Sequence, residues 1–315
     1  MIANTKEANV SAKGSYPTMA SRRDFLKRAS AAVICSASIG SSIQAYAEGH
    51  SLPLGLQLYS VREMLPKDYE GTLREIGSLG YREVEAAGFY QHTAADVKKA
   101  MQQADLRCVS AHYPYNDLSQ RFDAILEFHK ELGAESIICS SPGFRTPHTG
   151  GGPRTLTLDD WRWNADQFNA FGEKINAAGM KFGYHNHIHE FTITDGQLPY
   201  AELLQRTDPA HVTMELDCGW VVVGGADPLE ILRNHAARIT MLHVKDFKKP
   251  DSGATGAEAY KNTELGRGVI DYRPIFAEIA KTGKIKHIFV EQEGFDVPAN
   301  ESLKIDADYM RKFQV

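Results

Sequence analysis

The sequence predicts an α/β fold: a single (β/α)8 barrel behind a short leader that is cut away. Three observations lead there. Eight short apolar runs alternate with eight helical stretches along the chain. The alternation occupies residues 48–315, close to the ~250 residues such a barrel needs. No Gly-rich phosphate loop follows the first run, which disfavours a doubly wound open sheet.

The leader comes first in the chain. Ser21-Arg22-Arg23-Asp24-Phe25-Leu26-Lys27 precedes a weakly apolar, small-residue run from Ala29 to Ile43, and Ala45-Tyr46-Ala47 has the A-x-A form of a cleavage site. A charged start, a short apolar segment and a small-residue site in that order make a signal peptide over residues 1–47. The paired arginines resemble the bacterial twin-arginine signal, which implies a periplasmic or secreted protein that folds before export. The apolar run is too short and too rich in Ser to span a membrane, so no stable membrane anchor is expected. Val33-Ile34 before Cys35 lacks the small residue of a lipoprotein site.

Within residues 48–315, strands are expected at Leu54–Leu58, Glu83–Ala86, Cys108–Ala111, Ser136–Cys139, Lys181–Tyr184, Val212–Leu216, Ile239–His243 and His287–Val290. Helices are expected around 68–79, 93–104, 118–132, 159–178, 198–206, 227–235, 271–282 and 301–312. Gly80, Gly133 and Gly283 stand where left-handed helix ends are wanted. Asp117 and Asp227-Pro228 suit helix starts. Eight such βα units read as one TIM barrel.

Composition agrees with a globular enzyme-sized unit, at 43% hydrophobic and 24% charged residues. The formal charge of −5 hides an asymmetry. Residues 1–47 hold six Lys and Arg against Glu7 and Asp24, a net of +4, which leaves −9 on the remainder. A body of that sign has no general attraction for nucleic acid or an anionic membrane face. Cys108, Cys139 and Cys218 are odd in number and sit in or beside apolar runs, so they are expected as small core residues without disulfides.

In a TIM barrel the chemistry gathers at the C-terminal strand ends. Here those positions carry Gln57, Tyr59, Glu85, His112, Ser140, His185, His187, Asp217, His243, Lys245, Glu291 and Glu293. The long excursions Ser141–Leu158 and Phe247–Val269 extend the same face as lids or walls. Asp217, His243 and Glu291 end the last three strands. One imidazole with carboxylates suits one divalent ion of the Mn²⁺, Co²⁺, Zn²⁺ or Mg²⁺ group.

As an ordered set, Gly55-Leu56-Gln57-Leu58-Tyr59-Ser60-Val61-Arg62, Tyr184-His185-Asn186-His187, Asp217-Cys218-Gly219-Trp220, His243-Val244-Lys245-Asp246 and Glu291-Gln292-Glu293 resemble the xylose-isomerase-like sugar phosphate isomerase/epimerase family. The resemblance implies a metal held by Glu, Asp, His and Glu on strands five to eight, with Asp217, His243 and Glu291 matching the last three. At the first position this chain has His185 where the family has Glu. That leaves His185 or Glu190 as fourth ligand, His185 favoured by the motif.

The implied chemistry is proton abstraction beside a metal-bound carbonyl of a carbohydrate. Glu291 or Glu190 would serve as base, His187 is a replacement base, and Lys245 or His112 would steady the oxyanion. Tyr59, Glu85, His112 and Trp220 are expected to bind substrate. Isomerisation, epimerisation and elimination all branch from the enediolate. The altered first ligand and the leader favour an exported keto-sugar or glycoside, as an isomerase/epimerase or a 3-keto-glycoside lyase or hydrolase. Two other readings are a non-catalytic periplasmic sugar-binding barrel and a DNA-repair enzyme of the endonuclease IV type, the latter opposed by the charge. A homo-oligomer is left open.

Overall fold

A computed structural model describes residues 52–146, 154–248 and 259–313. The leader, with Arg22, Arg23 and Ala45-Tyr46-Ala47, lies outside the described residues, as do parts of both long loops. Among the described residues no helix is long and apolar enough to cross a membrane.

Eight parallel strands close into a barrel, each hydrogen-bonded to its neighbours in sequence and the last to the first. They are β1 (Leu54–Gln57), β2 (Glu83–Ala86), β3 (Arg107–Pro114), β4 (Ser136–Ser141), β5 (Lys181–His185), β6 (Val212–Asp217), β7 (Ile239–Val244) and β10 (His287–Val290). Between the last two lies a small antiparallel pair, β8 (Asp246–Phe247) and β9 (Asn262–Thr263), which was absent from the expected series. The expected β2 and β10 are found to the residue. Strands β3 to β7 run one to three residues further than hydrophobicity marks them, because polar residues such as His112, His185 and Asp217 continue the ladder.

The surrounding helices are α1 (Tyr69–Ser78), α2 (Ala94–Gln103), α3 (Tyr115–Leu132), α4 (Leu158–Ala177), α5 (Pro199–Arg206), α6 (Cys218–Val223), α7 (Pro228–His235), α8 (Tyr272–Thr282) and α9 (Ala299–Met310). Their ends follow local chemistry. Asp68, Thr93, Thr157, Asp227 and Asp271 accept backbone N–H groups as N-caps, and Gly133 and Gly283 close α3 and α8 with positive φ. The expected start at Asp117 falls one turn late, since α3 begins at Tyr115 directly after Pro114.

The main apolar core lies between the strands' outer faces and the helices, with Trp161, Phe168, Phe182, Tyr184 and Tyr272 among its largest side chains. Cys108, Cys139 and Cys218 are free and buried there. Val109, Ile138, Met241 and Phe289 form a separate apolar cluster, the filling of the barrel. Gly55 and Gly183 make room for it. A Cβ on Gly55 would lie 2.6 Å from the Phe289 ring, and one on Gly183 2.7 Å from Ile138. Toward the C-terminal strand ends the filling turns polar.

Candidate metal centre at the barrel mouth

Residues two apart on a strand face the same side, so β6 sends Glu215 and Asp217 inward together, and β7 and its end do the same with His243 and Lys245. A register shift between Met214 and Glu215 skips Thr240 on β7. Such irregularities re-aim side chains beside sites.

Two levels result. The lower is a carboxylate–imidazole network, buried except at the partly exposed His112. Glu85 accepts from Gln57 (2.7 Å) and Ser110 (2.6 Å) and lies 2.7 Å from His243 Nε2. His112 Nε2 lies 2.8 Å from Glu85 and 2.7 Å from Glu215, and His185 Nδ1 lies 3.1 Å from Glu215. The His112 and His243 rings stack 5.3 Å apart. Burial by itself would raise Glu85 and Glu215, yet the neighbouring imidazoles hold both well below the usual carboxylate range. His112 shows the reverse balance: burial lowers it, but Glu85 and Glu215 push it up to about 9.

The upper level holds His185, Asp217, His243 and Glu291. One ligand atom from each comes within 4.8 Å of all the others. His243 Nδ1 is 3.0 Å from Glu291 Oε2 and 3.9 Å from Asp217 Oδ2, and His185 Nε2 is also 3.9 Å from Asp217 Oδ2. Lys245, fully buried, places Nζ 2.9 Å from Asp217, 2.7 Å from Glu291 and 2.6 Å from Glu293. Asp217 divides its labour. Oδ1 accepts Trp220 N–H at 2.8 Å as the N-cap of α6, and buried Oδ2 faces the Lys245 ammonium at 2.9 Å without a directed hydrogen bond. Two imidazoles and two carboxylates with ligand atoms this close fit a divalent cation by chemistry and by count. Burial raises Asp217 to about 6 despite the Lys245 ammonium; Glu291, closer to both Lys245 and His243, is held well below the ordinary value against its own burial.

The remaining expected residues take distinct places. Glu190 sits in a short turn, His189–Phe191, after β5. It is bonded to the Tyr184 hydroxyl, and its Oε2 accepts His187 N–H at 3.1 Å. Tyr184 packs on Phe168 of α4, outside the barrel wall, and Glu190 is held by these bonds outside the cluster of four, though near enough to Asp217 to feel its charge. Burial raises it to about 7. His187 lies at the mouth, its ring 4.8 Å from His185 and 6.0 Å from Trp220, and burial lowers it to about 3. The Trp220 ring, half-buried, has the Lys245 ammonium 5.0 Å from its centre and Phe247 5.7 Å away. Tyr59 is 41% exposed on the rim beneath the Arg62 guanidinium, which also donates to the Glu293 carbonyl at 3.1 Å. Glu85, expected to touch substrate, is fully buried with both oxygens engaged and belongs to the floor. Glu215 escaped the sequence reading altogether. It is one step inside β6, and its only signal is a charged residue in phase with Asp217 within the run Val212–Leu216.

A closed parallel barrel with imidazoles and carboxylates converging at its strand ends defines a TIM barrel with a polar, buried mouth. Residues 73–313 match the family described as Xylose isomerase-like TIM barrel, and the chain belongs to it. An inosose dehydratase of Clostridium beijerinckii is 28% identical over 254 residues, 74% of this chain and 84% of that protein. One from Geobacillus thermodenitrificans is 27% identical over the same shares. Among solved structures, a sugar phosphate isomerase/epimerase from Parabacteroides distasonis is 27% identical with a TM-score of 0.65, covering 83% of this chain and 94% of that one. The family expected from the motifs is therefore the family found. The relatives are enzymes of both isomerase/epimerase and dehydratase names.

Proposed function

We propose that the chain is a divalent-metal-dependent enzyme that takes a proton from the carbon beside a carbonyl of a polyhydroxylated, sugar-like substrate, leading to isomerisation or loss of water. The observation that carries this reading is the convergence of His185, Asp217, His243 and Glu291 on one buried point beside Lys245. Those four side chains would hold the ion. When bound, it supplies a Lewis acid that polarises the carbonyl.

The rest is the work of the chain. Glu291 is held ionised by Lys245 and His243 and has its Oε1 free to receive the substrate proton. Lys245 Nζ, fixed between three carboxylates, steadies negative charge on the substrate oxygen. His112, with 12% of its side chain exposed, is the open ring of the lower network and stands ready to protonate a departing hydroxyl. Trp220, His187 and Tyr59 line the approach with apolar faces suited to a sugar ring.

Two-base epimerisation asks for a second carboxylate opposite Glu291. Glu190 is bonded to Tyr184 instead, which favours one-base isomerisation or elimination, and relatives named as dehydratases support elimination. The twin-arginine-like leader supports action in the periplasm or outside the cell.

The test is solvent deuterium exchange in a panel of keto-sugars, 3-keto-glycosides and inososes, with Mn²⁺, Co²⁺, Zn²⁺ or Mg²⁺ supplied in turn. Exchange at the carbon beside the carbonyl is expected, abolished by Asp217→Ala, with an unsaturated ketone accumulating if water is lost. No exchange in a metal-loaded protein would sink the reading. Sugar binding without any metal binding would assign the chain a non-catalytic role.

A further inference from the structure

We infer that Glu215 is a positioning residue of the metal centre: its Oε2 atom, beneath His185 and His243, sets the tautomer of His185 and backs Glu85 in setting that of His243, so that the upper nitrogens of both rings are free to bind a cation. The inference rests on the reading that His185, Asp217, His243 and Glu291 hold a divalent ion.

Each of the two rings spans the two levels. His243 turns Nδ1 to Glu291 and Asp217 and turns Nε2 to Glu85 and Glu215, the last at 3.4 Å. His185 turns Nε2 to Asp217 and Nδ1 to Glu215 at 3.1 Å. A neutral imidazole has one N–H and one lone pair. A cation takes the lone pair, so the proton must sit on the opposite nitrogen, and that nitrogen needs an acceptor. For His185 that acceptor is Glu215 Oε2 at 3.1 Å; for His243 it is Glu85 Oε1 at 2.7 Å, with Glu215 Oε2 behind it at 3.4 Å. A carboxylate oxygen without a proton only accepts, so Glu215 Oε2 asks for N–H from His185, with His112 Nε2 beside it at 2.7 Å, and Glu85 Oε1 asks for N–H from His243. His185 has no other lower acceptor among the described side chains. His243 shares Glu85, itself braced by Gln57 and Ser110.

The lower set, His112, His185, Glu215 and His243, is compact enough to hold an ion itself. The upper set is favoured because it offers two carboxylates, Asp217 and Glu291, against one in the lower set, whose Glu215 Oε2 already has three imidazole nitrogens within 3.4 Å. Glu215→Gln keeps the shape and removes the charge. Losing such a supporting carboxylate typically weakens a metal site about 10–100-fold.

The experiment uses Co²⁺ as probe for affinity and visible spectrum, and ¹⁵N NMR of the histidine rings in Zn²⁺-loaded wild-type protein. The NMR measurement involves no substitution and so survives any folding failure. Expected are one Co²⁺ per chain, affinity reduced about 10–100-fold in Glu215→Gln with stoichiometry kept, tight binding lost in Asp217→Asn, and rings protonated at His185 Nδ1 and His243 Nε2. Unchanged Co²⁺ affinity in Glu215→Gln, or rings protonated at the opposite nitrogens, overturns the positioning role while leaving the metal reading intact. Loss of the ion in Glu215→Gln with retention in Asp217→Asn overturns it by making Glu215 a ligand. Wild-type protein that binds neither Co²⁺ nor Zn²⁺ removes the underlying metal reading, and does so before any variant is made.

Discussion

Asp217 and Glu190 behave differently although both are buried acids within the same stretch of wall. Asp217 ends β6 with one oxygen committed to capping α6 and the other turned to Lys245, His185 and His243 at the mouth. Glu190 spends both oxygens on Tyr184 and His187. Neighbouring sequence motifs leave the choice of fourth ligand between His185 and Glu190, because both lie within six residues of one strand end. The direction of Glu190 comes from Tyr184, a partner on the outer face. A clean separation follows at this scale: Glu190→Gln should retain stoichiometric Co²⁺ binding with affinity changed less than about threefold, whereas Asp217→Asn loses it. Isothermal titration of both variants checks this, and loss of the ion in Glu190→Gln would move the ligand set to Glu190. Glu215 was hidden for a related reason. A carboxylate inside an apolar run has no motif of its own, and its partners, His112, His185 and His243, come from three other strands.

Among the elements, the strand ends were legible because hydrophobicity stops where chemistry starts. The small β8–β9 pair was not, since two-residue strands carry no period. Asp246 of β8 shows what builds it. Its carboxylate collects N–H groups from Phe247, Gly266, Gly268 and Ile270, at 2.9–3.1 Å, and so ties the chain after β9 to the end of β7. Nearby, Asp306 of α9 accepts Leu265 N–H at 2.7 Å and is otherwise unpartnered. Burial, with Glu264 and Asp246 close by, raises it to about 7. An acid whose folded value exceeds its unfolded one keeps its proton longer when folded, so its contribution to stability falls as pH rises from about 4 to about 7 and is level above that. Asp306→Asn keeps the acceptor for Leu265 and removes the ionisation. The variant should therefore gain stability relative to wild type as pH rises from 4.5 to 8, read by urea denaturation at both values. A gap between the two proteins that is constant with pH would contradict the assignment.

For the whole molecule, barrel closure turns eight separate strand ends into one site. Strands distant in sequence become facing walls: Glu85 of β2 meets His243 of β7, and His112 of β3 meets Glu215 of β6. Metal binding to such a site is linked to global stability, because the unfolded chain holds no preformed set. Zn²⁺ or Co²⁺ at about a hundred times its dissociation constant should add ~2.7 kcal/mol and raise Tm by roughly 5–10 °C for a domain of this size. A chelator should reverse the rise, and Asp217→Asn should not show it. An equal rise in that variant would place the ion elsewhere.

The sequence alone determined the barrel, its order, its family, and three of the four converging groups, Asp217, His243 and Glu291. Those properties are written in local signals: the period of apolar residues, the residue that ends each run, and motifs of a few positions. Tertiary structure decided that His185 rather than Glu190 joins them, that Glu85 lies in the floor, and that Glu215 stands beneath two of the rings. Each of those outcomes depends on which face of a strand meets which opposite wall. Strand register and barrel closure set that juxtaposition through contacts between residues 30 to more than 150 positions apart, a distance over which no local pattern carries information.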